Sequence, residues 1–88
     1  MNPAPLAGGG MLSKQSVVVP KGAYCFGCNQ SFEGNPVGLQ FDTDLLDASH
    51  RAELTGMYFH PGHLYRYARQ RNWEALAQFL SLNGPAHY

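Results

Sequence analysis

The sequence predicts a small α+β domain, and three observations carry that prediction. Cys25 and Cys28 form a C-x2-C pair, His60 and His63 form an H-x2-H pair, and alternating apolar stretches between the pairs give way to helical periodicity after them. Together the pairs read C-x2-C-x31-H-x2-H, and two thiolates with two imidazoles are a donor set for one tetrahedral Zn2+. With all four positions closed by protein atoms no place is left for a reacting water, so the ion is expected to be structural. The expected architecture is a zinc knuckle, an antiparallel β-hairpin and a C-terminal helix.

Size makes such a staple necessary. Of the 88 residues, 1–14 (MNPAPLAGGGMLSK) are rich in Pro, Gly and Ala without periodic apolar positions, which predicts a disordered N-terminal arm. A zinc-binding domain over 15–83 and a short tail over 84–88 complete the division. A core of that size rarely supplies more than about 3–5 kcal/mol, whereas metal binding in small zinc modules is worth on the order of 10 kcal/mol. A disulfide between Cys25 and Cys28 would close almost no loop and restrict the unfolded chain little.

The elements follow in order. Gln15 to Val19 (QSVVV) is β-branched and reads as a short strand, ended or held to a sheet edge by Pro20. Lys21-Gly22 turns the chain into the first half-site, where Gly27 is expected to supply an unusual backbone angle while amides point at the sulfurs. Val37, Leu39 and Phe41 alternate with Gly38 and Gln40, the period of a half-buried strand. A second alternation over 52–59 is expected to pair with it as the hairpin, across the connection DTDLLDASHR. Pro61 suits the first position of a helix, which puts His60 near its N-cap and His63 in its first turn. Leu64, Tyr65 and Ala68, then Trp73, Leu76, Phe79 and Leu80, recur at helical spacing, as one bent helix or as two with Asn72 capping the second. Asn83-Gly84-Pro85 stops the pattern.

The same residues have two other possible uses, a redox dithiol and a ligand set that includes His50. A redox dithiol expects a βαβ setting with the second cysteine entering a helix, but Cys28 runs into Asn29-Gln30-Ser31 and Gly34-Asn35-Pro36, which reads as turn. His50 rivals the histidine ligands by reach, although its polar surroundings favour solvent. Two thiolates and two neutral imidazoles cancel the charge of the ion, which favours burial under Phe26, Tyr58 and Phe59.

The run CFGCNQSF, the apolar strand at Val37 and Leu39, and the aromatic pair Tyr58-Phe59 leading into His60-Pro61-Gly62 resemble the treble-clef zinc fingers of the poly(ADP-ribose) polymerase type, over residues 25 to about 69. LIM domains share a similar H-P-x-C step. The resemblance implies a treble-clef-like fold and one structural zinc. It also implies DNA binding, against which stand the acidic Asp42, Asp44 and Asp47 of the hairpin connection, since they repel phosphates. His63 stands where the family pattern has cysteine.

Six basic and six acidic residues balance, so no whole-molecule field draws the chain to a polyanion or an anionic membrane. The first functional reading is therefore a non-enzymatic protein-interaction module, with Leu45 and Leu46 offered to a protein partner. The alternative is nucleic-acid binding through Arg66, Arg69 and Arg71 with Tyr65 and Tyr67 beside them, Arg66 and Arg69 sharing a helix face. Trp73 and Phe79 are expected in the core instead. No Ser/His/Asp set and no phosphate-cradling glycine loop is visible, so neither an enzyme nor a small-molecule substrate is expected. Without a basic leader before an apolar run, or a stretch long enough to cross a bilayer, the expected setting is the reducing cytoplasm or nucleus.

Overall fold

The computed structural model describes residues 11–88, which form a small α+β domain. Strand β1 (Leu12–Val18) pairs antiparallel with β2 (Val37–Thr43), in a register that sets Gln15 opposite Gln40 and Val18 opposite Val37. Three helices follow, α1 (Ala48–Thr55), α2 (Leu64–Gln70) and α3 (Glu74–Asn83), and a 3-10 turn at Pro85–His87 closes the chain. Among the described residues no helix is long and apolar enough to cross a membrane.

The sheet differs from the expected hairpin. The alternation in β2 holds at Leu39 and Phe41, which are buried, but not at Val37, which is 42 % exposed, and its partner is the upstream β1. The expected arm over 1–14 thus gives up Leu12, Ser13 and Lys14 to a strand, while residues 1–10 lie outside the described residues. Gly38 is buried for a packing reason: a Cβ there would sit 2.8 Å from Cγ1 of Val19 and 3.1 Å from Cε1 of Phe32.

The second predicted strand, 52–59, is helix over its first half, 52–55, instead. Ala48, Arg51, Ala52, Glu53 and Leu54 are good helix formers, and the Arg51 amide donates to the Asp47 carbonyl at 2.8 Å to open α1. Leu54 is fully buried and supplies the contact that docks the helix. Two ion pairs fix its outer face: Arg51 grips the Asp42 carboxylate at 2.6 and 3.0 Å, and Glu53 meets Arg71 at 2.7 Å. Only Phe59 keeps the strand role, exchanging amide and carbonyl with Leu39 at 2.8 and 2.9 Å.

The helical periodicity resolves into two helices, and Asn72 ends the first instead of capping the second. Its φ is 58°, its amide donates to the Arg69 carbonyl at 3.2 Å, and that of Trp73 donates to Ala68 at 2.9 Å. These two bonds satisfy the last carbonyls of α2 in the manner of a Schellman ending. The 84–88 tail is likewise part of the fold. Tyr88 packs against Phe41 and Phe79, and Lys14 Nζ donates to the His87 carbonyl at 2.8 Å.

One continuous core joins these pieces. Phe41, Phe59, Leu54, Leu64, Leu76, Leu80 and Cys25 are its fully buried members. Trp73 joins them at 6 % exposure, as its helical spacing predicts, with its ring edge-on to Tyr67. Cys25 carries the core to the edge of the polar cluster described next.

Candidate metal centre

Cys25, Cys28, His60 and His63 come together, with one ligand atom of each lying within 4.8 Å of all the others. Cys25 Sγ stands 3.4 Å from His63 Nδ1, and Cys28 Sγ stands 3.5 Å from His60 Nδ1. Zinc bonds of about 2.3 Å to sulfur and 2.0–2.1 Å to nitrogen place sulfur and nitrogen about 3.6 Å apart across a tetrahedron. The cluster is therefore compatible with zinc.

Local structure prepares each half. Around the first, Tyr24 and Ser31 form an antiparallel bridge, the Cys25 amide donates to Gln30 at 2.8 Å, and the Asn29 amide donates to Cys25 at 2.7 Å. The second half hangs from Phe59, which the Leu39 bridge anchors. Gly62, at φ 85°, turns the chain so that the His63 amide reaches the His60 carbonyl at 3.2 Å. The expected helix start at Pro61 is thus a turn, and α2 begins at Leu64 with His63 as its N-cap. The halves are tied directly as well, Phe26 donating its amide to the Tyr58 carbonyl at 3.1 Å.

Gly27 has a different role from the expected one. The left-handed residue of the knuckle is Asn29, at φ 62°, while a Cβ on Gly27 would lie 2.7 Å from both the Cβ and the carbonyl oxygen of His63. Glycine is needed there because the second half-site presses against the first. Gly27→Ala is accordingly expected to displace His63 and weaken metal affinity by about 10–100-fold, the scale for lost support around a ligand. Competition against a chromophoric chelator measures it, and unchanged affinity would show that the contact relaxes without cost.

Backbone amides and burial set the electrostatics of the cluster. The amides of Gly27 and His60 both donate to Cys25 Sγ at 3.3 Å, as they would to a thiolate. Burial pushes the Cys25 thiol up from its ordinary value, opposed by backbone hydrogen bonds at His60, Cys28 and Gly27. Burial pushes the His63 imidazole down, with the positive Arg66 and then His60 acting in the same direction. The neutral ring is the one that binds metal. Since folding lowers this value, the stability it contributes is complete above the unfolded value, about 6.5, and is lost as pH falls from there through the folded one.

The remaining sequence candidates fall elsewhere. His50 is paired with Asp47 and faces the Trp73 ring edge at 5.7 Å, away from the cluster. Arg71 donates to the Tyr67 hydroxyl at 2.6 Å and to Glu53 at 2.7 Å, with its guanidinium 5.2 Å from the Trp73 ring centre. All three arginines of that set remain exposed, with Arg69 donating to the Tyr65 hydroxyl at 3.1 Å. Leu45 and Leu46 pack half-buried against the core, so neither stands out as a docking residue. Beside the expected Phe26, Tyr58 and Phe59, the site has Phe32 of the run CFGCNQSF as a direct neighbour, its ring 4.2 Å from that of His60 at 30°. Its signal was an aromatic residue four positions after Cys28.

No protein-family model matches the chain, and neither does any curated protein or solved structure. What the geometry defines is an α+β domain with a Cys2His2 cluster able to hold a metal ion.

Proposed function

We propose that this domain is a structural zinc module of treble-clef type, holding one Zn2+ on Cys25, Cys28, His60 and His63 and serving as a scaffold for protein interaction in the cytoplasm or nucleus. The observation that carries the metal reading is the pair of sulfur to nitrogen spacings, 3.4 and 3.5 Å, which suit a closed tetrahedron. A mixed sulfur and nitrogen tetrahedron selects zinc over hard cations, which prefer oxygen. Four protein donors leave no open position, which favours structure over catalysis.

The treble-clef reading draws on the knuckle, on the Leu39 and Phe59 bridge, and on a second half-site immediately ahead of α2. It departs from that pattern at α1, which stands where the hairpin's second strand was expected. Protein interaction is favoured over nucleic acid because Arg71 is engaged within the fold, leaving few phosphate contacts on α2 and hence weak, salt-sensitive binding.

Purified chain loaded with zinc is expected to carry about one ion and to release about two protons per ion at neutral pH, one from each thiol. Elemental analysis and calorimetry in buffers of different ionisation enthalpy measure the two quantities. Substoichiometric metal after reconstitution, or loading without proton release, would overturn the zinc reading. A pull-down from the native host with and without nuclease tests the partner, and capture that disappears with nuclease would favour nucleic acid.

A further inference from the structure

We infer that β1 is a self-pairing edge through which two copies of this chain join their sheets, strand to antiparallel strand, about a two-fold axis at Gln15. The hydrogen-bond phase of the sheet identifies the open groups. Leu39 exchanges amide and carbonyl with Phe59, so its backbone groups point away from β1. Ser16, opposite Leu39, must then point its own amide and carbonyl away from β2, and Lys14 and Val18 share that phase. Val19, in the opposite phase, donates inward to the Pro36 carbonyl at 2.9 Å, which agrees. Among the described residues no backbone group bonds the outward side of Lys14, Ser16 or Val18.

Such an edge is ordinarily blunted by charge, proline or a bulge. Here the seven residues of β1 pair with β2 without interruption and carry one charge, Lys14. A second copy suits this edge better than an unrelated strand because the edge is complementary to itself. With the axis at Gln15, Lys14 faces Ser16 of the second copy, so the two lysines never stand opposite each other. Leu12 then faces Val18 of the second copy. Met11 of that copy comes next, beside Val19, which lines a groove of about 570 Å³ together with Pro20, Phe32 and Pro36 and the charged Lys21 and Glu33. Met11 is 75 % exposed and Val18 is 78 % exposed. The pairing thus covers two of the most exposed apolar side chains of the domain with one operation, and backbone bonds supply the attachment as in strand addition generally.

The inference gives a partner to the interaction scaffold proposed above, and it does not depend on which metal fills the cluster. The test uses the full metal-loaded chain, its metal content assayed separately so that failure of the zinc reading is seen on its own. Sedimentation over a concentration series is expected to show a reversible dimer. Ser16→Pro removes an outward amide that β2 does not use, so the monomer fold and its helix signal should persist while the dimer is lost. Ser16→Lys keeps the amide but sets like charges opposite Lys14 twice, and is expected to weaken association about tenfold. In amide exchange, Lys14, Ser16 and Val18 should gain protection with concentration, while Gln15 and Val17 are protected throughout. A chain that stays monomeric at high concentration, or a dimer that neither variant weakens, overturns the proposal. Should Ser16→Pro misfold, Ser16→Lys and the alternating exchange pattern decide alone.

Discussion

Treatment of the loaded protein with a strong chelator is expected to abolish its cooperative thermal transition. Native domains keep only about 0.05–0.15 kcal/mol of net stability per residue, while zinc binding in small modules contributes on the order of 10 kcal/mol that an apo chain forgoes. The geometry explains where the loss falls. Cys25 is a fully buried member of the core, and the contact of Gly27 with His63, the Phe26 amide on Tyr58 and the His60 amide on Cys25 Sγ all bridge the two half-sites. Without the ion, two thiols and two imidazoles face one another across 4.8 Å or less with no charge to hold them. Cys25→Ser should behave in the same way, since it removes a ligand and leaves a hydroxyl among apolar neighbours. Thermal melts followed by circular dichroism, with and without chelator, measure the effect. An unchanged midpoint would show that the core of β2 and the three helices suffices alone.

Phe59→Ala is expected to cost about 3–5 kcal/mol, the range for emptying a buried aromatic site. Its ring is fully buried and lies 5.7 Å from Phe41, 5.5 Å from Tyr67 and 6.3 Å from Phe26, measured between ring centres. It is therefore the side chain on which the strand, α2 and the knuckle converge. Its backbone also fixes His60, the next residue, by the bridge to Leu39. Loss of the ring should thus lower metal affinity as well as stability, whereas truncation of the distant Leu76 should lower stability alone. Denaturant midpoints at constant slope give the first quantity, and chelator competition gives the second. A Phe59→Ala variant that loses stability but keeps full affinity would show that the bridge holds His60 without help from the ring.

Much of the Cys2His2 cluster was legible in the chain because each half of it is local. Cys25 with Cys28, and His60 with His63, are each close enough in sequence for one turn to present both side chains, so paired spacing together with the polar surroundings of His50 pointed to all four. The strand at Leu39 and Phe41 and the stripes of α2 and α3 were legible for a similar reason: burial on one face leaves its period in the residues. Asn72 was misplaced because a residue that tolerates left-handed backbone suits the end of one helix as readily as the start of the next.

What the chain by itself determined is therefore the four residues of its Cys2His2 cluster, strand character at 15–18 and 37–41, and helical periodicity after the cluster, all written over a few neighbouring positions. Tertiary structure alone decided that β2 pairs with the upstream β1, that 48–55 coil into a helix, and that Gly27 answers to His63 instead of to its own backbone angle. The physical reason is distance along the chain. An eight-residue helix has too few hydrogen bonds to be stable alone, so burial of Leu54 selects it, and a two-stranded pairing takes its register from the residues that cover it. Neither choice is made until segments far apart in sequence have met.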